Sequence, residues 1–163
     1  GICFIGRVNM KAFLEKKIKG KKGAIIDEKG DQIGTHLGTQ YYTIGQRVGM
    51  RLEMNINKNK INKKLYIAQK KGNRLIVVPE NHPLLKKRII KIKKLHFINS
   101  KEEISKSLKA RIRHLGDFHK GKLRKENKVY YFKFIHPVMS IAEGQYIVLY
   151  YKDKVVGSGE IRY

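Results

Sequence analysis

The second half of the chain is paced for strands. RIIKIKKLHF (88–97), KARIRHL (109–115), KGKLRKE (120–126), VYYFKFI (129–135), QYIVLYY (145–151) and KVVGSGEIRY (154–163) are alternating or apolar stretches separated by short breaks. Successive side chains of a strand point to opposite faces, so Ile90 and Ile92 set against Lys91 and Lys93 give one dry face and one wet face. Six antiparallel strands at this spacing are expected to close into a small barrel. SKEEISKS (100–107) is a polar excursion that reads as one helical turn.

The first half is less regular. MKAFLEKKI (10–18) places Met10, Phe13, Leu14 and Ile18 on one helical face behind Asn9 as N-cap, with the helix ending at Gly20 or Gly23. AIID and QIGTH flank EKGD as a hairpin. GTQYYTIGQRVG (38–49) is too rich in glycine for a stable helix and is expected to fold as an irregular loop on the core. Residues 55–64 are polar and read as a loop, whereas KLYIAQ and RLIVV are strands joined by the turn KKGN. The prolines of PENHPLL break the pattern, so the domain boundary is expected between residues 79 and 88. The fold class is therefore mainly β: a small β-rich domain with one short helix over 1–80, then a six-stranded antiparallel β-barrel over 81–163.

Charge narrows the partners. Lys and Arg total 37 against 13 Asp and Glu, a formal net charge of +24, and the expected partner of such a surface is a polyanion, most commonly nucleic acid. Part of the excess is plain compositional bias, as in KNKINKK (58–64). The more telling part lies in the strands. Period two puts Lys109, Arg111 and Arg113 on one face, and Lys120, Lys122 and Arg124 on one face of the next strand. If those strands pair, like charges oppose one another, and an RNA backbone would relieve the repulsion by counterion release. The alternative is that the rows splay apart and are simply solvated.

Other chemistries are poorly supported. The six histidines show no HxH or HxxxH spacing, and no phosphate-loop or GxGxxG motif occurs, so neither a metal nor a nucleotide site is expected. The 41% apolar content suits a folded core, and no apolar run approaches the roughly 20 residues of a membrane span. A cytoplasmic location with no membrane partner is expected. Cys3 is the single cysteine, which rules out an internal disulfide. Apolar Ile2, Phe4 and Ile5 suit a buried thiol, while Arg7 and Lys11 favour a reactive thiolate, so the local residues leave both readings open.

Four strings taken together resemble one family. GICFIG (1–6), FLEKKI (13–18), GDQIGTHLGTQYYTIGQRVG (30–49) and HPVMSIAEGQYIVLYYKDKVVGSGEI (136–161) are similar to the C-terminal two-thirds of the bacterial tRNA-specific 2-thiouridylases, with YTIGQR the most specific piece. The resemblance implies an enzyme, a tRNA-uridine 2-sulfurtransferase. In it an N-terminal ATP-dependent domain adenylates the C2 oxygen of the wobble uridine, and a cysteine persulfide supplies the replacing sulfur. The family's persulfide cysteine corresponds to Cys3. Arg111 and Ile112 match one tRNA contact and Gln145 another, while Lys109 and Arg113 flank the first. Ile112 stands where many members have tyrosine, so its contact is expected through the backbone. The resemblance also implies that the chain is a fragment, inactive alone, holding no cofactor itself and using ATP only in the full-length enzyme. Its partners would be tRNA and an upstream sulfur-relay protein or cysteine desulfurase. The competing reading is a non-catalytic RNA-binding β-barrel of the translation machinery.

Overall fold

The computed structural model describes residues 10–48, 55–56, 63–98 and 106–163. Cys3, Asn9 as the expected N-cap, and residues 100–105 of the helical turn expected over 100–107 lie outside them, while Ser107 begins a strand. The chain divides into two units, Gly1–Leu84 and Leu85–Tyr163.

In the first unit, helix α1 (Met10–Lys17) forms where the spacing predicts it. Of its apolar stripe, Phe13 and Ile18 stay exposed and Leu14 is half-buried. The helix also stops before Gly20. That glycine instead lets the chain press against Leu37 and Tyr41, where a Cβ would lie 2.3 Å from the Leu37 carbonyl oxygen. The core is built on a sheet of strands β1 (Gly23–Ile26), β2 (Gln32–His36), β3 (Asn55–Ile56), β4 (Leu65–Lys71) and β5 (Arg74–Pro79). β1 and β2 form the expected hairpin, its turn held by the Asp27 carboxylate, which accepts the amides of Lys29 and Asp31. β4 and β5 form the second hairpin.

Two features depart from expectation. Asn55 and Ile56, in a stretch read as loop, pair with Thr35 and Gly34 as a short edge strand. The two hairpins are joined through a parallel pairing of β1 with β5, giving the order β3-β2-β1-β5-β4. Ile25, Ile33, Ile67, Leu75 and Val77 pack together with Tyr42, which comes from the glycine-bracketed loop. That loop lies on the core as expected. The Gly45 amide donates to Ile67, the Ile67 amide to Gln46 and the Val48 amide to Leu65. The YTIGQR string is thus a structural strap along β4.

The second unit is a closed six-stranded antiparallel barrel. Its strands are β6 (Lys86–Phe97), β7 (Ser107–Arg111), β8 (His119–Glu126), β9 (Val129–Met139), β10 (Tyr146–Tyr151) and β11 (Lys154–Arg162), in the order β10-β11-β6-β9-β8-β7. The ring closes by pairing of β7 with β10. The inward residues include Ile90, Ile92, Leu108, Phe132, Ile147 and Leu149, as alternation requires. The sequence of β6 loses its alternation after Lys93 because the strand bends there: Lys94 adopts φ 51° and the register with β11 shifts between Ser158 and Glu160. Gly159 permits that approach, since a Cβ there would lie 2.4 Å from the Ile92 side chain. No helix among the described residues is long and apolar enough to cross a membrane.

Candidate nucleic-acid interface

β7 ends at Arg111, two residues before the sequence pattern does. Leu108 and Ala110 point into the barrel, which leaves Lys109 and Arg111 facing out. Arg111 is opposite Val148 and Lys109 opposite Tyr150, so β7 finishes where β10 begins. Gln145 immediately precedes β10. Arg111, Ile112, Arg113 and Gln145 are therefore collected at one end of the barrel, with Lys109 one step along the wall.

Each of these side chains is held differently. The Arg111 guanidinium lies 4.0 Å over the ring of Phe118, which meets Tyr150 edge-on at 5.0 Å. Its Nε is buried with no hydrogen-bond partner among the described residues. Lys109 approaches the same ring at 5.6 Å and sits 3.6 Å from Asp153. Phe118 thus organises two cations, a stacking mode that suits the planar guanidinium and fixes its donor fork. Arg113 does not continue the row. Beyond the strand it turns, and its Nη2 donates to the Ser140 carbonyl at 2.5 Å. The Gln145 side-chain oxygen accepts the Ala142 amide at 2.9 Å, closing the turn before β10 and leaving its amide nitrogen outside that bond. Ile112 packs its side chain on the barrel core. Nearby, the Tyr163 hydroxyl donates to the Ile141 carbonyl, and burial together with the Glu143 carboxylate pushes its pKa up to about 12.

The pairing of β7 with β8 places Lys109 directly opposite Lys120, and β8 with β9 places Lys122 opposite Lys133. Lys120, Lys122 and Arg124 are all exposed on the outer face of β8. The basic rows expected from the sequence therefore meet at one pair, Lys109 and Lys120: Lys122 lies opposite Ser107 on β7, and Arg111 and Arg113 lie beyond the β8 pairing. Uncompensated, these oppositions are unfavourable by a few tenths of a kcal/mol up to about 1 kcal/mol each. A strand repeat of roughly 3.3 Å per residue puts alternate lysines about 6.6 Å apart, a spacing suited to an extended phosphate backbone.

Between the chain after β7 and the end of β9 a cleft of about 250 Å³ opens, walled by Ile112, Val138, Met139 and Ile141 and edged by Arg113 and Asp117. Neither this cleft nor the role of Phe118 is evident from strand periodicity. The available sequence signal was GDFHK, an aromatic in a turn between two basic stretches.

Residues 11–79 match the family model of the tRNA methyl transferase PRC-barrel domain, and residues 87–161 that of the aminomethyltransferase beta-barrel domain. Among curated proteins, the tRNA-specific 2-thiouridylase MnmA of Karelsulcia muelleri is 34% identical over 99% of this chain and 49% of its own length. That of Chlamydia felis is 36% identical over 99% of this chain and 44% of its own, and that of Mycoplasma genitalium 34% over 99% and 43%. The chain spans about half the length of the relatives it matches. With both domain models matched in order and relatives of this kind aligned along its whole extent, the chain belongs to the tRNA-specific 2-thiouridylase family.

Proposed function

We propose that this chain is the tRNA-gripping and sulfur-carrying part of a tRNA-uridine 2-sulfurtransferase, acting on tRNA in the cytoplasm. The observation that carries the reading is the gathering of Arg111, Ile112 and Gln145 at one end of a cationic barrel. These are the positions at which the family resemblance implies tRNA contact. Arg111, held flat by Phe118, presents its outer nitrogens to a phosphate. Lys109 and the lysines of β8 extend the positive surface, and Arg113 acts by bracing the chain between β7 and the end of β9.

The sulfur step is assigned to Cys3. A persulfide on its thiol adds its outer sulfur to C2 of the adenylated uridine, and AMP leaves with the oxygen. The thiolate of a second cysteine, assigned to the part of the enzyme that this sequence does not span, then attacks the Cys3 sulfur, which breaks the S–S bond, frees the 2-thiouridine and leaves a disulfide between the two cysteines that an external thiol reductant must reduce before the next turnover. Activation by ATP falls to the part of the enzyme that this sequence does not span, so the chain by itself is expected to form no 2-thiouridine. Loading of Cys3 is assigned to a sulfur-relay protein or cysteine desulfurase. The test is Cys3→Ser in the full-length enzyme, assayed for 2-thiouridine and for tRNA affinity. Thiolation should disappear while affinity stays within about twofold, because the substitution removes no cation from the phosphate-binding surface. Retained thiolation would remove Cys3 from the mechanism.

A further inference from the structure

We propose that the cleft beside Arg113 receives one unstacked nucleobase of the bound RNA. The inference rests on the tRNA reading above and adds a base contact to a surface otherwise made for phosphates. Three observations converge. The first is size. At about 250 Å³ the cleft falls below the roughly 300–1,000 Å³ of sites for drug-sized ligands and suits a single heteroaromatic ring system.

The second is its lining. Val138 and Ile141 are buried, Ile112 is half-buried and Met139 is partly exposed, so these four give an apolar surface with a thioether at the mouth, while His119 and Ser140 add polar groups to the lining. Unpaired bases are taken up on such surfaces through their π-faces while polar groups read their edges. The cleft is also preformed. The Arg113 bond to the Ser140 carbonyl ties its two sides together, and the Gly116 amide closes the turn onto the Arg113 carbonyl at 2.9 Å.

The third is charge. Asp117 edges the cleft, exposed, and makes no ion pair among the described residues. On a surface that carries Lys109, Arg111, Arg113 and Lys120, a carboxylate opposes phosphate binding. It can, however, accept the ring and exocyclic N–H groups of a base, which a phosphate does not offer.

The experiment uses the whole chain, a fluorescently labelled tRNA transcript and a series of salt concentrations. Met139→Trp fills the cleft from its exposed side. Stacking of about 1–3 kcal/mol per base corresponds to roughly 5- to 150-fold in affinity. A loss of about tenfold is expected, with the slope of log K against log salt unchanged because no phosphate contact is removed. Asp117→Ala should weaken binding about threefold or more, although it deletes a negative charge from an RNA-binding surface. Affinity within about twofold for a folded Met139→Trp, or tighter binding by Asp117→Ala, overturns the nucleobase cleft and leaves the tRNA reading standing. If Met139→Trp does not fold, the sign of the Asp117→Ala effect decides alone. Failure of the unaltered chain to bind the transcript overturns the tRNA reading, and this inference with it.

Discussion

Arg111 is both stacked and incompletely bonded, and its two properties can be separated by substitution. Arg111→Ala should weaken tRNA binding and flatten the salt slope by roughly one unit, the contribution of about one phosphate contact. Arg111→Lys keeps the charge but loses the stack on Phe118, so the slope should hold while affinity falls. Binding isotherms across a salt series check both. His36 offers a residue-scale test of the first unit. It is buried, its Nδ1 accepts the Gly38 amide and its Nε2–H donates to the Asn73 carbonyl, which fixes a neutral ring. Desolvation by burial holds its pKa below the ordinary imidazole value, partly opposed by the bond to Asn73. Since the unfolded ring binds a proton more readily, stability is full above the unfolded pKa and is lost as pH falls through it toward the folded value. Thermal unfolding followed between about pH 7.5 and 5 should show this loss, and His36→Phe should flatten the dependence. Little of this was legible in the sequence. A lone histidine in QIGTH carries no sign that its two nitrogens are used by residues 2 and 37 positions away.

Strands were the legible elements, because period two in a chain with short turns leaves few alternatives. The outward lysines of β8 follow directly from that period, and so does their crowding once β7 and β9 pair on either side. What the pattern could not supply is where a strand stops being a strand. KARIRHL alternates through Arg113, yet β7 ends at Arg111, since Arg113 is drawn to the Ser140 carbonyl across the barrel mouth. Two-residue β3 lacks any periodic signal and exists through its pairing with β2. The lysine ladder supports a prediction at this scale. Lys133→Glu converts the opposition with Lys122 into a cross-strand ion pair. The free protein should gain up to about 1 kcal/mol, measured by thermal or denaturant unfolding. The same variant should bind tRNA more weakly and with a shallower salt slope. Stability and binding moving in opposite directions is the signature of repulsion held in reserve for a polyanion. If both fell together, Lys133 would instead be a packing residue.

Over the whole molecule the charge excess of +24 predicts an affinity dominated by counterion release. Binding of tRNA by the intact chain should fall steeply between about 50 and 200 mM salt, with several contacts each contributing about 0.7–0.9 to the slope. A slope near one in fluorescence titrations would mean that most of the lysines are bystanders. Mainly-β architecture and barrel closure were within reach of sequence reasoning. The joining of the two hairpins of the first unit was not, because a parallel neighbour 50 residues away leaves no local mark. The same geometry governs when each part can form as the chain emerges from a ribosome. The β1–β2 and β4–β5 hairpins are complete within short spans, but Ala24–Ile26 have no β5 partner until Arg74–Ile76 have been made. β6 waits longer for β11, whose strand ends at Arg162, so one side of β6 stays open through nearly all of the barrel's synthesis. Folding of the second unit is therefore a late, non-local event with slow closure. The lysines spaced along β6 then guard an unpaired edge against joining another nascent chain, a protective duty they have discharged before any RNA arrives.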